Sequence, residues 1–288
     1  MKDNPIRHDF RNLLNGERCV FPASINDPVS ARIAEELGYE AAMLAGSTAS
    51  LAVLGDPDHI LLTLSELSEQ TRRICRAGSV PLMVDADHGY GNALNARRTV
   101  EEIENAGAAG LSIEDTNLPR PFDSKRSAPL LSIEEGSGKM QAAVDARRDP
   151  SFVIAARTNA PRISSIDDTL ERIEAYQETG VDALFLVGVT TREQLEAIRD
   201  RARLPIMLGG SGADLADRDF LSQCGVRFFV QGHQPIHAAM QAAYESLRLL
   251  RDGAEPASLE GLPERSLIDR VTRTGQFREW VDRFLEPS

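Results

Sequence analysis

The feature that most constrains the fold of this chain is a unit that recurs eight times. In each unit an amphipathic, charged stretch is followed by a short apolar run and then by a polar loop. In four units the charged stretch ends at a glycine, namely Gly38, Gly107, Gly180 and Gly225. Glycine accepts the left-handed conformation that commonly ends a helix. The chain is therefore predicted to alternate helices with strands.

The apolar runs predict eight strands. They cover 19–24, 41–45, 81–85, 110–114, 152–157, 183–187, 205–208 and 227–231. The runs lack polar alternation, which is typical of parallel strands that helices cover on both faces. The stretches between them predict eight helices. These cover 28–37, 64–77, 93–106, 134–148, 166–179, 191–201, 215–224 and 235–251.

Eight strands, each followed by a helix, predict a (β/α)8 barrel of the TIM type. The competing architecture is a doubly wound open sheet, which usually has fewer strands and a glycine-rich phosphate loop after the first one. No such loop follows 19–24. We therefore expect one barrel domain over residues 1–288, with the barrel itself at about 10–251.

A helical extension is expected after the barrel, over about 257–286. It contains two short amphipathic segments, at about 259–272 and 276–284, and the second holds the only tryptophan, Trp280. Large aromatic side chains on an outlying segment favour a docked position over a free one. The extension is therefore expected to pack on its own barrel or to be exchanged with a neighbouring subunit.

Composition excludes several functional classes. Acidic residues outnumber basic ones by 44 to 32, giving a formal charge of −12, so nothing predicts a nucleic-acid or anionic-membrane partner. No apolar run approaches the ~18 residues of a membrane span, and residues 1–10 lack the apolar core of a signal peptide. The three cysteines are too few and too scattered for a disulfide framework or a zinc cage. We expect a cytoplasmic protein.

Acidic residues stand at or just after the ends of two predicted strands, where barrels place their catalytic groups. Asp85 ends the third strand, Asp87 follows it, and Glu114 ends the fourth. Such carboxylates suit Mg²⁺ or Mn²⁺, and a bound cation would relieve the repulsion between buried like charges. The alternative is a capping turn, with Asp87 or Asn92 as the N-cap of the next helix. For Glu114 the alternative is an N-cap or a salt bridge.

Other strand ends carry groups that suit an anionic ligand. The guanidinium of Arg157 matches a carboxylate, unless it forms a structural bridge to Glu114 or an aspartate. Hydroxyl and backbone groups around Ser47 can hold a carboxylate or a phosphate. His233 can donate to an anionic substrate or move a proton, although a lone histidine is more often structural. The glycine-rich loop 209–212 resembles a phosphate loop, but flexible loops share its composition.

Four motifs occur in an order that resembles the isocitrate lyase/phosphoenolpyruvate mutase superfamily. They are Ala-Gly-Ser at 45–47, Asp-Ala-Asp-His-Gly-Tyr-Gly-Asn at 85–92, Ile-Glu-Asp at 113–115 and Ala-Arg-Thr-Asn at 156–159. The resemblance covers about 10–250, and the second motif is the most specific. Within the superfamily the chain looks most like the oxaloacetate decarboxylase branch. The motif at 132–139 and the Gly-His pair at 232–233 point the same way.

The resemblance implies a carboxy-lyase that depends on Mg²⁺, with Mn²⁺ as the alternative ion. It implies that Asp85 binds the metal directly. Asp87 and Glu114 would hold the ion through its waters, with Asp58 as a further candidate. The implied reaction converts oxaloacetate, or a 3-alkyl oxaloacetate, to a 2-oxo acid and CO₂ through a metal-stabilised enolate.

The resemblance also implies roles in binding the substrate, a small 2-oxo dicarboxylate. Ser47 and its backbone would bind the carboxylate of the 2-oxo acid. Arg157 would bind a substrate oxygen, and His233 the distal part of the substrate, so these two are the implied catalytic residues. Members of the superfamily are typically homotetramers, as dimers of dimers, that exchange a C-terminal helix.

Other members cleave C–C or P–C bonds, as dialkylmalate or methylisocitrate-type lyases or as phosphonopyruvate hydrolase. The lyases carry a catalytic cysteine in the loop after strand four, whereas here the loop 117–129 has none. That long polar loop is expected to serve as a lid. The chain departs from the decarboxylase branch at 209–212, where a bulkier residue is expected, and at Gln231, where asparagine is expected. Both departures concern the substrate more than the reaction class.

Overall fold

The computed structural model describes residues 4–124, 128–210 and 212–286. Within them, parallel strands form one sheet in sequential order. They are β1 Ala23–Ser24, β2 Ala42–Leu44, β3 Leu82–Asp85, β4 Gly110–Glu114, β5 Val153–Thr158, β6 Ala183–Val187, β7 Ile206–Gly209 and β8 Val226–Val230. Val20 joins the two ends of the sheet, because its N–H donates to Arg227 O at 2.7 Å and its carbonyl accepts from Phe229 N at 3.0 Å. The predicted TIM-type barrel is confirmed.

Helices alternate with the strands. They are α1 Pro5–Leu14, α2 Pro28–Glu36, α3 Gly46–Val53, α4 Leu64–Cys75, α5 Ala93–Ala106, α6 Ile133–Ala146, α7 Ala160–Ile163, α8 Ile166–Gln177, α9 Arg192–Arg199, α10 Arg218–Gln223, α11 Gln234–Arg251, α12 Arg265–Val271 and α13 Thr274–Phe284. Short 3-10 helices lie at Ala213–Leu215 and Pro256–Ser258. None of the described helices is long and apolar enough to cross a membrane.

The glycines at the four helix–strand joints behave as the sequence predicts. Each has a positive φ, between +74° and +103°. A residue with a β-carbon would be strained in that conformation. These joints turn each helix back towards the next parallel strand, and so they set the order in which the polar strand ends meet.

Two helices of eight residues or more, α1 and α3, were not predicted, and neither was the four-residue α7. The segment of α3 was interpreted as a polar loop, but Gly46–Val53 is helical and begins directly after β2. No helix was predicted over the segment of α1, but this helix closes the amino end of the barrel. Phe10 is fully buried there and stacks on Phe228 with ring centroids 4.8 Å apart. Both helices are short and depend on tertiary contacts, which local patterns do not report.

The core has two layers, as expected for a barrel. Inside the barrel lie the apolar side chains of Met43, Met83, Phe185, Met207 and Phe228, among others. Outside it, a larger layer packs the strands against the helices. Because the interior is filled with side chains, a ligand can reach only the open end.

The C-terminal region differs from the rest of the barrel. Unlike the preceding barrel helices, α11 has no buried residue, and the side chains of Met240, Tyr244 and Leu247 are exposed. The predicted helical extension is present as α12 and α13. It returns to its own barrel, where Val271 is buried and Arg273 pairs with Glu35 of α2 at 2.9 Å.

In α13, Trp280 contacts Phe277 edge-on, with ring centroids 5.1 Å apart. Both rings remain exposed. The docked part of the extension is therefore α12, and the aromatic part is left uncovered within the described chain.

Candidate active site

A cavity of about 780 Å³ opens at the carboxyl end of the barrel. Its walls include six residues that the sequence singled out, namely Ser47, Asp58, Asp87, Glu114, Arg157 and His233. Asp85 adjoins the cavity through its ion pair with Arg157. The structure thus brings together side chains from five different strand ends and from the segment that follows α3.

The Asp87 carboxylate is positioned by the turn after β3. Asp87 has φ +47°, in the left-handed region, and its N–H donates to Asp85 Oδ1 at 3.2 Å. A β-carbon built on Gly46 would lie only 2.5 Å from Asp87 Oδ1. The carboxylate therefore rests on the backbone at the start of α3, and Ser47 follows in the first turn of that helix.

Arg157 supplies the positive charge within this acidic group. Its Nη1 donates to Asp85 Oδ2, and its Nε lies 3.6 Å from Glu114 Oε2. The guanidinium also lies 5.6 Å from the ring centroid of Phe185. The structural bridge considered as an alternative for Arg157 is thus present in the structure. The same group still faces the cavity, so the bridge and a role in binding substrate are compatible.

Burial dominates the protonation of the acidic cluster. Burial and the Asp85 charge raise the pKa of the Asp87 carboxyl well above its ordinary value, although Arg157 opposes them. Burial also raises the pKa of Glu114, against the lowering effect of Arg157. Burial lowers the pKa of Arg157, but Asp85, Glu114 and Asp87 together raise it above its ordinary value. One guanidinium therefore does not neutralise the cluster, and a further cation would stabilise the ionised carboxylates.

The donor set fits a hard divalent cation that keeps most of its waters. Over the described ranges, no three His, Cys, Asp or Glu side chains converge tightly enough to hold a metal ion by themselves. Mg²⁺ is commonly bound by one or two carboxylates and several waters, so tight convergence is not required. Asp85, Asp87 and Glu114 offer oxygen ligands of the type that Mg²⁺ and Mn²⁺ prefer.

Two residues that the sequence predictions do not name hold Glu114. Thr116 Oγ1 donates to Glu114 Oε2 at 2.9 Å, and Asn159 Nδ2 donates both to that oxygen and to Thr116 Oγ1, the latter at 3.0 Å. Asn159 is buried, lines the cavity, and its Oδ1 has no hydrogen-bond partner among the described residues. Its place in the 156–159 motif was the available signal, but only the fold shows that it meets Glu114.

His233 lies where the sequence places it, at the start of α11. Its Nδ1 is 2.8 Å from Ser24 Oγ, which fixes the ring at the cavity wall. Burial lowers the pKa of His233, although Asp85 raises it. His59 also lines the cavity, with Arg120 and Arg162. The sequence predictions named none of these three as a site residue.

The turn after β3 was expected either to offer metal ligands or to cap the next helix, and its residues differ in which of these they fit. Asn92 is the N-cap of α5, and its side chain accepts from the N–H groups of Leu94 and Asn95. Asp87 caps no helix and lines the cavity instead. The capping interpretation is therefore right for Asn92 and wrong for Asp87.

The two departures in the strand-seven and strand-eight loops have structural correlates. A β-carbon on Gly209 would lie 3.1 Å from the Phe185 ring, so Phe185 occupies the space beside this glycine. Gln231 is exposed and does not line the cavity. Ser211 of the same glycine-rich loop lies outside the described residues.

The loop 117–129 borders the cavity. Leu118, Pro119, Arg120 and Ala128 line it, while 125–127 lie outside the described residues. Below the loop, Leu131 N donates to Asp115 O at 2.7 Å. The position of the loop agrees with the predicted lid, whose movement remains a prediction.

Comparison with known proteins places this barrel in a family. The family model described as phosphoenolpyruvate phosphomutase matches residues 10–251. The chain belongs to the phosphoenolpyruvate phosphomutase family. The resemblance inferred from the four motifs is confirmed.

Curated relatives match nearly the whole chain. A protein from Rhodopseudomonas palustris (strain BisA53), named oxaloacetate decarboxylase, is 54% identical over 97% of this chain and 96% of its own. A protein of the same name from Bradyrhizobium sp. (strain BTAi1 / ATCC BAA-1182) is 51% identical over 98% of this chain and 97% of its own.

Solved structures of this family share the fold. A phosphonopyruvate hydrolase in complex with oxalate and Mg²⁺ superposes with a TM-score of 0.87 at 28% identity, covering 97% of this chain and 99% of that one. An oxaloacetate acetylhydrolase in complex with its product oxalate gives 0.84 at 27% identity, covering 98% of each chain.

Proposed function

We propose that this protein is a Mg²⁺-dependent oxaloacetate decarboxylase, which converts oxaloacetate or a 3-alkyl oxaloacetate to a 2-oxo acid and CO₂. The observation that carries the proposal is the buried group of Asp85, Asp87, Glu114 and Arg157 at the mouth of a barrel. Relatives named oxaloacetate decarboxylase match 97% of this chain at 54% identity. The activity is that of a carboxy-lyase.

The carboxylates would hold the cation in unequal ways. Asp85 is the proposed direct ligand, while Asp87 and Glu114 would hold the ion through its waters, with Asp58 as a further candidate. When bound, the divalent cation would supply Lewis-acid stabilisation of the charge that develops on the 2-oxo oxygen. Mn²⁺ suits the same oxygen ligands and is the alternative ion.

The remaining groups would bind and orient the substrate. Ser47, with the first N–H groups of α3, would hold the C1 carboxylate, because a helix N-terminus favours an anion. Arg157 would hold a substrate oxygen and add positive charge near the reacting bond. His233, fixed by Ser24, would contact the distal C4 carboxylate.

The chemistry then requires one bond to break and one proton to arrive. The C3–C4 bond breaks, C4 leaves as CO₂, and its electron pair remains on the enolate of pyruvate. A proton from water reaches C3 to give pyruvate. No residue of the chain has to act as a covalent nucleophile, and because water supplies the proton, the reaction is compatible with the lack of a cysteine in 117–129.

That lack also separates this proposal from the runner-up, another C–C or P–C bond-cleaving enzyme of the superfamily. A dialkylmalate or methylisocitrate-type lyase would need the catalytic cysteine that the loop 117–129 of this chain does not carry. Phosphonopyruvate hydrolase activity remains the alternative to be tested, since two similar structures bear that name.

We also propose a homotetramer, as a dimer of dimers, that exchanges a C-terminal helix. The support is α11, which presents Met240, Tyr244 and Leu247 to solvent and buries no residue. Exposed apolar faces of this kind mark interaction surfaces. Light scattering after size-exclusion chromatography should report four chains, and Tyr244→Glu with Leu247→Glu should reduce that number. A monomeric wild-type protein would contradict this proposal.

The decisive experiment measures pyruvate formation from oxaloacetate by the purified protein, with Mg²⁺ and with EDTA. Because metal ions alone decarboxylate oxaloacetate, the rate must be compared with metal and no protein. Metal-dependent turnover well above that background is expected. Parallel assays for oxalate from oxaloacetate and phosphate from phosphonopyruvate test the other activities. The decarboxylase proposal fails if no pyruvate forms from oxaloacetate while oxalate forms from oxaloacetate or phosphate forms from phosphonopyruvate.

A further inference from the structure

The turn that carries Asp87 is held at three successive carbonyl groups. Asp87 O accepts from Glu114 N at 2.8 Å, His88 O accepts from Lys139 Nζ at 3.0 Å, and Gly89 O accepts from Thr99 Oγ1 at 3.0 Å. The donors come from three different elements, β4, α6 and α5. A turn with φ +47° at Asp87 and +61° at Tyr90 does not keep this shape by local preference, so these contacts stabilise it.

Lys139 is the unusual donor of the three. It is 3% exposed, and His88 O is its only hydrogen-bond acceptor within the described chain. It forms no ion pair there either. Lysine is almost never fully buried unless it is paired, because burial removes the ammonium from water. A neutral side chain could fill the same space at lower cost, so the contact with the turn requires a reason.

The reason is that the His88 carbonyl directly follows Asp87, so a contact with this carbonyl helps to fix the position of Asp87. The Asp87 carboxylate lies against Gly46, and the Asp87 N–H donates to Asp85 Oδ1, so a rotation of the peptide 87–88 would shift the residue that carries the carboxylate. Lys139 reaches over from α6 and donates to the carbonyl of the 88–89 peptide, directly after the one that would rotate. Its charge also acts on Glu114 and Asp115, the acidic residues at the end of β4.

We infer that Lys139 is a positioning residue for the metal site, which holds the His88 carbonyl so that the Asp87 carboxylate faces the bound cation. The inference rests on the proposed metal site. It also gives a role to the last residue of the motif at 132–139, whose first residue, Ser132, caps α6. Groups that orient metal ligands typically contribute about 10–100-fold to metal affinity.

The direction in which cation affinity changes when Lys139 is replaced distinguishes a positioning role from a purely electrostatic or a purely structural one. If Lys139 acted only through its charge, its removal would tighten cation binding, because a positive charge near the site repels the metal. If it served only to fill the core, its removal would lower the melting temperature and leave metal affinity unchanged. A positioning role predicts weaker binding despite the loss of a repelling charge.

The experiment measures Mn²⁺ binding to the full-length, metal-free protein by calorimetry, without substrate. Lys139→Met, which keeps the length but not the donor, should raise the Kd for Mn²⁺ about 10–100-fold. Lys139→Arg, which keeps a charged donor, should stay within a few-fold of wild type. Circular dichroism and the melting temperature show whether each variant keeps the barrel. Lys139→Gln, too short to reach His88 O, should weaken binding in the same way and serves if Lys139→Met does not fold.

The outcomes separate this inference from the proposed function. If the wild-type protein binds Mn²⁺ and a folded Lys139→Met or Lys139→Gln variant binds it equally or more tightly, the positioning role is wrong and the metal site stands. The role is also wrong if Lys139→Arg binds as weakly as Lys139→Met. If the wild-type protein does not bind Mn²⁺, the metal site itself is wrong.

Discussion

The carboxylate of Asp87 lies directly against the α-carbon of Gly46. A β-carbon at position 46 would approach Asp87 Oδ1 to 2.5 Å and its Cγ to 3.1 Å. Two motifs that are 41 positions apart in the sequence are therefore in contact. Glycine is needed at 46 because the acidic side chain occupies the space beside it.

The first prediction follows from that contact. Gly46→Ala should displace the Asp87 carboxylate, weaken Mn²⁺ binding about 10-fold or more and lower kcat. Gly138→Ala is the control, because position 138 of α6 has no heavy atom within 4 Å of an added β-carbon. It should leave activity unchanged and stabilise the helix by up to about 1 kcal/mol. Equal Mn²⁺ affinity in Gly46→Ala and wild type would contradict the prediction.

The second prediction concerns Asp85, the proposed direct metal ligand. Asp85→Ala should abolish metal-dependent decarboxylation while the barrel stays folded, as judged by circular dichroism. The reason is that the variant loses both the carboxylate and the partner of Arg157. Asp145→Ala, on the exposed side of α6, is the matched control and should keep wild-type activity. Full activity in Asp85→Ala would show that the metal assignment is wrong.

The third prediction concerns the distal end of the substrate. His233→Ala should raise the KM for oxaloacetate roughly ten-fold, because a hydrogen bond to a charged group contributes about 1.5–3 kcal/mol. The effect on kcat should be smaller. Steady-state kinetics test this, with His237→Ala as a control, since His237 is exposed and outside the cavity walls. An unchanged KM in His233→Ala would exclude substrate binding by this histidine.

The fourth prediction concerns stability far from the site. Asp149 is buried and pairs with Arg7 at 2.7 Å. Burial raises the pKa of Asp149, but hydrogen bonds from Ser151 and Arg7 outweigh it and lower the pKa from 3.8 to about 2. Asp149→Asn should therefore reduce the free energy of unfolding at pH 7 by about 2 kcal/mol.

The pH dependence of that effect has a defined sign. Because the folded-state pKa lies below the unfolded value, the stabilisation is complete above pH 3.8 and is lost as the pH falls towards about 2. The difference between wild type and Asp149→Asn should narrow in urea unfolding at pH 3 compared with pH 7. A constant difference at both values would contradict the linkage. Decarboxylase kinetics should not change in this variant.

Much of the site could be predicted from the sequence because of the barrel. Once the repeat identifies parallel strands, the residues after each strand must gather at one end, so Asp85, Glu114, Arg157 and His233 could be grouped without coordinates. From the sequence, Arg157 was expected either to bind a ligand's carboxylate or to form a structural salt bridge. The structure shows the bridge to Asp85, at a position that also faces the cavity.

Other parts of the site could not be predicted. Thr116 and Asn159 hold Glu114 through side-chain hydrogen bonds between two strands, and Lys139 reaches the His88 carbonyl from a distance of 51 positions. Such contacts depend on the register of neighbouring strands and on the rotation of a helix about its axis. A hydrophobic pattern reports which face is buried, but not which atom meets which.

By itself the sequence determined the strand order, the barrel and the set of polar residues at its open end, because helix stops and apolar runs are local properties of the chain. Only the tertiary structure decided that α1 closes the amino end, that α3 is helical and that α11 buries none of its residues. The tertiary structure also decided how the carboxylates are held. These features depend on contacts between residues far apart in the chain, and their energies are absent from any local pattern.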